Sequence, residues 1–370
     1  MAKIVTVYVR SIRETDDKNK DLVPIDMSYI RWYKISEALA KFGHQVDMAV
    51  PDIFKEWKAN PPLNLELNLR RIPLSEINWD DYDIVKTLFN AGFQTLEAYG
   101  GTDHPCIISK LGSVVGPHDM DGIYFYGTIR EQMYSIQEKI HEKSKYVTVL
   151  TKQARDLWYE LNGANDNLLI VPGAVDRHIP PRKKDPYPTD HKKRCLFAGN
   201  FYNDKHQPEA NKVIVERLNI LGKLLSSSGI SLYLLGPGDA SKINNNHITY
   251  LGKVPYEKTW DYLYHADIGI VVAAGRFMHN NESSKIYHYL RVGLPVVCES
   301  GFPNDYVLTE SNLGVVVDNG NLELMAEKIK EAAQKEWDRD SAINYILNNH
   351  TWEKRVEIYD EIIKQNFTHY

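Results

Sequence analysis

The chain has 370 residues, of which 43% are hydrophobic and 25% are charged, a balance typical of packed globular proteins rather than disordered ones. Its formal net charge of −5 argues against a general nucleic-acid binder. The length suits two domains of about 170–190 residues each.

Three cysteines, Cys106, Cys195 and Cys298, each lie beside apolar, strand-like residues. An odd, widely spaced set of cysteines indicates buried free thiols in a reducing compartment. No apolar run approaches the roughly 20 residues that span a bilayer, and the first residues read as a strand without a signal-peptide cleavage pattern. We therefore expect a cytoplasmic protein.

Short β-rich runs alternate with segments of helical period through the first half of the chain. Such alternation predicts a parallel sheet that helices cover on both faces. The predicted strands are Ile4–Val9, Gln45–Val50, Asp83–Thr87, Cys106–Ser109, Tyr146–Leu150 and Leu168–Val171, and the predicted helices are Tyr29–Phe42, Glu131–Lys143 and Ala154–Leu161.

Residues 176–194 interrupt this alternation with four prolines and with seven Lys or Arg against three Asp. The composition is typical of a stiff, basic linker that is solvated. Contact with anionic lipid, near a membrane-embedded acceptor, is the alternative interpretation.

The alternation then resumes, which predicts a second α/β domain with a cleft between the two. Its predicted strands are Arg194–Ala198, Ser231–Leu235, His247–Leu251 and Ile268–Val272, and its predicted helices are Pro208–Leu225 and Tyr256–His265.

Residues 282–297 follow as a polar entry, a helix, a glycine stop and a buried strand. Ser283 or Ser284 can cap the helix, and Gly293 falls where a helix end needs a left-handed residue. A helix N-terminus offers unpaired N–H groups and partial positive charge, here beside the ammonium of Lys285. The segment predicts a phosphate site, with a surface helix and a solvated lysine as the alternative.

The string SSKIYHYLRVGLPVV in this segment resembles the donor-site pattern K-L-x-E-Y-x-A-x-G-x-P-V-V of nucleotide-sugar glycosyltransferases with the GT-B architecture (glycosyltransferase group 1, family 4-like). In that family the pattern contacts the diphosphate and ribose of the donor. Five further segments resemble family motifs in the same order, namely LIVPGAVD (Leu169–Asp176), CLFAGNFYNDK (Cys195–Lys205), LYLLGPGD (Leu232–Asp239), ITYLGKVPYEKTWDYLYHADIGIVV (Ile248–Val272) and HTWEKRVEIYDEI (His350–Ile362).

The resemblance implies an α/β fold with two Rossmann-like domains facing a central cleft. The acceptor-side domain would cover residues 1–173 together with a C-terminal helix, 351–370, that crosses back to it. The donor domain would cover residues 174–350.

The implied activity is a hexosyltransferase-like transfer of sugar from a nucleotide-diphosphate sugar, with a UDP-sugar favoured, to an acceptor hydroxyl. The acceptor would be a saccharide, a lipid-linked molecule or a small molecule. The nucleotide sugar is a co-substrate, and we expect no cofactor, no metal and no nucleic-acid partner. Peripheral membrane contact stays open.

The resemblance also implies roles for individual residues. Lys285 would stabilise charge on the leaving diphosphate. His118 and Asp119 are candidates for the base of an inverting reaction, with a turn at Gly116-Pro117 and a solvent-facing histidine as the equal alternative. The predicted donor contacts are Gly199, Asn200, Lys205, Glu282, Ser283, Ser284 and His288. For Gly199 a simple turn is the equal alternative, and for His288 a packed helix-face histidine.

Two departures from the family pattern limit these implications. Two glutamates that many retaining members carry eight positions apart are replaced by Asn280 and His288, with Glu282 shifted by two, which leaves the stereochemical outcome open. The first domain also lacks the usual glycine-rich loop. A catalytically silent sugar-nucleotide-binding protein and a sugar-nucleotide epimerase of the same fold remain alternatives, whereas a nicotinamide dehydrogenase is disfavoured because G-x-G-x-x-G is missing.

Overall fold

The structure, a computed structural model, describes residues 1–8, 27–52, 66–116, 127–189, 192–203, 207–275, 278 and 280–367. The chain divides into two compact units. Unit 1 contains the residues up to 116, the segment Gly127–Pro172 and the C-terminal segment from Trp352, whereas unit 2 contains Gly173–Thr351.

Unit 1 is built on a parallel seven-stranded sheet of order β3-β2-β1-β4-β5-β6-β7. The central strands β1 and β4 pair in register with Ile4 opposite Ile84, and the apolar residues of both strands are buried. The strands are β1 Lys3–Val7, β2 Gln45–Val50, β3 Leu69–Pro73, β4 Ile84–Leu88, β5 Ile107–Lys110, β6 Tyr146–Val149 and β7 Leu168–Ile170. The helices are α1 Met27–Lys41, α2 Phe89–Ala98, α3 Gly127–Lys143, α4 Lys152–Asn162 and, at the end of the chain, α11 Trp352–Phe367.

The C-terminal helix α11 packs on α1 within unit 1. Its Asp360 lies 3.2 Å from Nε2 of the buried His44, and its Glu353 accepts from Lys41 at 3.0 Å. Its Tyr359 shares a hydrogen bond of 3.1 Å with Thr148 of β6. The last helix of the sequence is therefore a structural part of the first unit.

Unit 2 is built on a parallel six-stranded sheet of order β10-β9-β8-β11-β12-β13. Its strands are β8 Lys193–Ala198, β9 Ile230–Leu235, β10 Ile248–Gly252, β11 Ile268–Val271, β12 Val296–Glu299 and β13 Gly314–Val317. Its helices are α5 Pro208–Ser226, α6 Tyr256–His265, α7 Ser284–Arg291, α8 Tyr306–Glu310, α9 Leu322–Gln334 and α10 Arg339–Asn349.

Alternating side chains of β8 supply two cores in unit 2, one on each face of the sheet. Cys195 and Phe197 pack with residues of α5 and α9, whereas Leu196 packs with residues of α6, α7 and α10.

Two helices of unit 2 begin at capping side chains: Asn321 accepts a hydrogen bond from Leu324 N–H at the start of α9, and Asp338 accepts one from Ser341 N–H at the start of α10, both at 3.0 Å. Both sheets thus have the strand order of doubly wound α/β folds, and the predicted fold class is confirmed.

Most described charged residues of the proline-rich segment 176–194 are exposed, as expected for a solvated linker, but the segment also contacts unit 2. Its Tyr187 is buried, with its ring centroid 4.7 Å from that of Tyr233. Arg194 already pairs with Asp185 at 2.6 Å, and its backbone belongs to β8. The segment is therefore anchored on unit 2 at Tyr187, while its Arg182, Lys183 and Lys184 are exposed.

Candidate functional site

The predicted phosphate-binding segment lies between β11 and β12 of unit 2. Strand β11 ends at Val271, and α7 begins at Ser284. A segment that follows a parallel strand starts at the carboxyl edge of the sheet, where open α/β folds bind ligands. The start of α7 is therefore at the ligand-binding edge.

Helix α7 is fixed against the end of β8 by Tyr289. The tyrosine hydroxyl accepts a hydrogen bond of 2.8 Å from the backbone N–H of Ala198. Its ring fills the space beside Gly269, where a Cβ would lie 2.6 Å from Cδ2 of the ring. This anchor, one turn after Lys285, sets the position of the first turn of α7.

The Ser283 side chain at the N-terminus of α7 makes no capping hydrogen bond. Ser283 is the N-cap residue, with an extended backbone and no side-chain capping bond. Its hydroxyl is buried and has no hydrogen-bond partner among the described residues. A buried hydroxyl without a partner costs about 1–3 kcal/mol, so an acceptor atom at this position would be favourable. Ser284, the first helical residue, is half-buried.

Asn304 holds the backbone of Ser283 from the opposite side. The amide oxygen of Asn304 accepts from Ser283 N–H at 2.9 Å, and its Nδ2 donates to the Ser283 carbonyl at 3.0 Å. Asn304 is fully buried. This paired contact makes the helix start rigid, and sequence reasoning did not identify it.

Lys285 extends its side chain toward the end of β8. Its ammonium lies 5.0 Å from the ring centroid of Phe197, and a Cβ on Gly199 would lie 2.1 Å from Cε of the lysine. Burial lowers the pKa of Lys285 to about 8. Lys285 is half-buried, and the structure shows no hydrogen bond or ion pair for Nζ within the described residues, so its charge still lacks a protein partner.

The loop after β8 combines Gly199 and Asn200. The N–H of Gly199 donates to the Leu235 carbonyl at 2.8 Å, and a Cβ on Gly236 would lie 2.3 Å from the Gly199 carbonyl oxygen. The exposed Asn200 accepts from Tyr202 N–H through Oδ1 at 2.8 Å. Turn geometry therefore explains part of both predicted contacts.

Glu282 is buried and already has two partners. One carboxylate oxygen accepts from the N–H of Gly173, and the other accepts from the hydroxyl of Tyr287 at 2.7 Å. A Cβ on Gly173 would lie 2.9 Å from this carboxylate. The first role of Glu282 is thus to hold the turn at Gly173 against α7.

His288 lies on the face of α7 that meets α6. Its ring is 5.5 Å from that of Trp260 and 6.3 Å from that of Tyr256, both edge to face. The histidine is half-buried. It is therefore part of an aromatic contact between the two helices, and its contact with a ribose stays a prediction.

Glu299 forms a second buried polar group at this edge that sequence reasoning missed. Its carboxylate accepts from the N–H groups of Ala273 at 2.7 Å and Gly320 at 2.9 Å, and from Arg217 at 2.8 Å. These bonds join the loop after β11, the end of β12 and the segment before α9. The sequence feature that could have identified Glu299 is its place directly after the apolar residues of β12.

The arrangement as a whole suits an anion with several oxygens. It offers a helix N-terminus, a buried hydroxyl and a partly desolvated ammonium within one rigid frame. In the part of the chain that the structure describes, no group of three His, Cys, Asp or Glu side chains is placed to hold a metal ion. Among the described helices, none combines the length and apolarity needed to cross a bilayer.

Comparisons with known proteins agree with this geometry. Residues 215–344 match a family model described as the glucosyltransferase 3-like C-terminal domain. Sucrose-phosphate synthase from Thermosynechococcus elongatus is similar over 100% of both chains, with a TM-score of 0.69 at 13% identity. Residues 215–344 thus form a glucosyltransferase-like domain, and the chain as a whole has the GT-B fold.

Two further solved structures share this fold. Anabaena HepE, solved in complex with UDP and glucose, has a TM-score of 0.67 at 9% identity over 99% of this chain and 100% of its own. A glycosyltransferase from Rickettsia africae has a TM-score of 0.64 at 13% identity over 100% of this chain and 99% of its own. No curated protein sequence gives a significant match.

The structure brings most predicted donor contacts to one edge of unit 2. Gly199 and Lys285 are in direct contact, and Glu282, Ser283 and Ser284 precede Lys285 in the same segment. His288 lies one turn farther along α7. The predicted residues Lys205, His118 and Asp119 lie outside the described residues, and their roles stay predictions.

Proposed function

We propose that this glycosyltransferase transfers a sugar from a nucleoside-diphosphate sugar, with a UDP-sugar favoured, to an acceptor hydroxyl. The single observation that carries the proposal is the side chain of Lys285, which is half-buried, has no anionic partner within the described residues and lies at the start of α7. A diphosphate supplies the charge and the oxygen acceptors that this position lacks.

The groups at the start of α7 would also stabilise the transition state of the transfer. As the glycosidic bond to phosphate breaks, negative charge grows on the leaving diphosphate. Lys285 and the N–H groups at the start of α7 stabilise that charge more strongly than the ground state, which lowers the barrier. Ser283 and Ser284 add hydroxyl donors, and Asn304 keeps the helix start in place.

Glu282 and His288 support the donor in different ways in this proposal. Glu282 positions Gly173 and the start of α7 through its two hydrogen bonds, with its remaining lone pairs able to meet the donor. His288 offers a ring nitrogen to a ribose hydroxyl from the α6 side of the helix. Gly199, Asn200 and Lys205 complete the predicted contacts to the diphosphate.

The acceptor proton has two possible destinations. In an inverting reaction, a base must take it, and His118 and Asp119 are the proposed candidates. In a retaining reaction, the departing phosphate itself takes it, and the protein only positions the two substrates. HepE binds UDP and glucose, which supports uridine as the base and a saccharide as one acceptor class.

Exposed cations of the segment 176–194, including Arg182, Lys183 and Lys184, support contact with anionic lipid if the acceptor is lipid-linked. Flotation with phosphatidylglycerol vesicles should recover the protein, and the double variant Lys183→Glu, Lys184→Glu should stay in solution. Equal recovery of both proteins would contradict a lipid contact through this segment.

A panel of UDP, GDP, ADP and CMP with their common sugar conjugates tests the function by thermal stability. Ligand at 100 times its Kd adds about 2.7 kcal/mol, which gives a shift of a few degrees. The stabilising sugar nucleotide is then incubated with and without a saccharide mixture. Nucleotide release that needs an acceptor supports a transferase, whereas isomerisation of the donor alone would indicate an epimerase.

A further inference from the structure

Unit 1 carries an unusual backbone conformation at the carboxyl end of its sheet. Phe89 directly follows β4 and opens α2 with a φ of 56°. Bulky side chains rarely adopt this left-handed region. Such strain costs on the order of 1–3 kcal/mol and is found mainly where ligands bind.

The ring of Phe89 is held by its neighbours. Tyr8, directly after β1, meets the ring edge to face with centroids 5.9 Å apart, and Trp32 of α1 lies 6.0 Å from Tyr8. A Cβ on Gly112 would lie 3.2 Å from Cδ1 of Phe89, so glycine at this position leaves room for the ring.

The contrast in exposure shows where a ligand could reach this group. Tyr8 and Trp32 are buried, whereas Phe89 is only half-buried. Asn90, also half-buried, places its side chain at the same strand end, where Nδ2 contacts Sδ of Met133 at 2.9 Å. A fixed aromatic ring offers a negative π face to positively polarised C–H groups, as on one side of a pyranose.

The topology places these residues together. Tyr8 follows β1, Phe89 follows β4 and Gly112 lies two residues after β5, and these three strands are neighbours in the sheet. The carboxyl edge of an open α/β sheet is where ligands bind. A transferase needs two substrates, and the corresponding edge of unit 2 is assigned to the diphosphate.

We propose that Phe89 is the stacking residue of a sugar-binding subsite in unit 1, which holds a pyranose ring of a saccharide acceptor. This inference rests on the proposed function, because it identifies the chemical class of the second substrate. The left-handed backbone of Phe89 is then the conformational cost of presenting the ring at the strand ends.

An array of immobilised oligosaccharides, probed in saturating UDP, tests the subsite. We compare the wild-type protein with Phe89→Leu, which keeps apolar bulk but loses the flat ring, and with Phe89→Trp, which keeps a flat ring. Tyr99→Leu is the control, since Tyr99 is an aromatic residue 42% exposed at the other end of α2. UDP affinity is measured by calorimetry on the same preparations.

We expect the wild type, Phe89→Trp and Tyr99→Leu to bind the same saccharides, and Phe89→Leu to lose about tenfold in affinity, or 1.4 kcal/mol. UDP affinity should be unchanged in all four proteins. Equal saccharide binding by Phe89→Leu would overturn the subsite, and so would a wild type that binds UDP but no saccharide.

Failure of the wild type to bind any nucleotide would instead count against the donor site in unit 2. If Phe89→Leu also loses UDP affinity, folding is affected, and Gly112→Ala decides the question. Its added Cβ shifts the ring of Phe89 by a few tenths of an ångström, so saccharide binding should weaken while UDP binding remains. Unchanged saccharide binding by Gly112→Ala would overturn the inference.

Discussion

The side chain of Lys285 passes so close to Gly199 that any side chain at position 199 would displace its ammonium. A Cβ on Gly199 would lie 2.1 Å from Cε and 2.8 Å from Nζ of Lys285. Gly199 follows β8, and Lys285 lies in the first turn of α7. The glycine therefore determines where the ammonium of the proposed donor site can lie.

Gly199→Ala should weaken the binding of UDP or of the preferred nucleoside diphosphate by about tenfold, because the displaced ammonium loses most of a charged hydrogen bond worth about 1.5–3 kcal/mol. Calorimetry gives the Kd. Gly229→Ala is the control: no neighbouring atom lies within 4 Å of the added Cβ, and its φ of 72° adds backbone strain outside the proposed site, which separates general destabilisation from loss of the lysine contact. Unchanged affinity in Gly199→Ala would contradict this dependence.

Nucleotide affinity should fall as the pH rises above 8. Burial lowers the pKa of Lys285 to about 8, so the free protein loses the ammonium between pH 7 and 9, and only the charged form attracts phosphate. Lys285→Arg keeps its charge throughout this range. The Kd measured at several pH values from 7 to 9 should therefore increase for the wild type and stay constant for the arginine variant. If the Kd of both proteins increases equally, another group causes the pH dependence.

Lys86→Met should stabilise unit 1 by about 1–3 kcal/mol at pH 7, the range for a buried donor without a partner. Lys86 is 1% exposed in β4, and its Nζ has no hydrogen bond within the described residues and lies 3.7 Å from the Tyr359 ring centroid. Urea unfolding gives the free energy of unfolding, and a less stable variant would contradict this account.

The same lysine makes stability depend on alkaline pH. Burial, with a smaller contribution from Lys110, lowers the pKa of Lys86 well below its ordinary value of 10.5. Between this lowered pKa and 10.5 the unfolded chain binds more protons than the folded chain, and stability rises with pH across that range. The rise between pH 7 and 9 should be smaller in Lys86→Met.

His44 should make unit 1 sensitive to acid. Its Nδ1 accepts from Ala2 N–H at 3.2 Å, and burial lowers its pKa below the ordinary 6.5 although Asp360 acts in the opposite direction. Because the unfolded state takes up the proton first, stability is lost as the pH falls below 6.5.

Melting temperatures between pH 7 and 5 test the effect of His44. The wild type should lose more stability over this range than His44→Gln, and the exposed His141 supplies the control variant His141→Gln. A decline of equal size in all three proteins would show that other groups cause the acid sensitivity.

The sequence predicted the start of the candidate site because its signals are local. Serine residues before α7 and Gly293 after it mark the helix without any tertiary information. Asn304 could not be predicted in this way, since its bonds to Ser283 depend on how the segment after β12 folds back. The two partners of Glu282 likewise exist only once Gly173 lies beside α7.

Most strands of the fold, like the start of the candidate site, were predicted from local sequence patterns. Apolar runs identified the buried central strands, and their observed ends differ by one or two residues, as for β1, which ends at Val7. Strand β3 was not identified, because Arg70 and Arg71 lie within this edge strand. Helix α2 was also missed, since it opens on Phe89 with no side-chain cap.

The most direct test of the donor site is calorimetry of the preferred nucleoside diphosphate with wild type, Lys285→Ala and Lys223→Ala. Lys223 is exposed in the last turn of α5, so it controls for general charge. Lys285→Ala should lose about 1.5–3 kcal/mol, the range for a hydrogen bond to a charged group, and Lys223→Ala should match the wild type. Equal affinity in all three proteins would remove Lys285 from the site and contradict the proposed mode of donor binding.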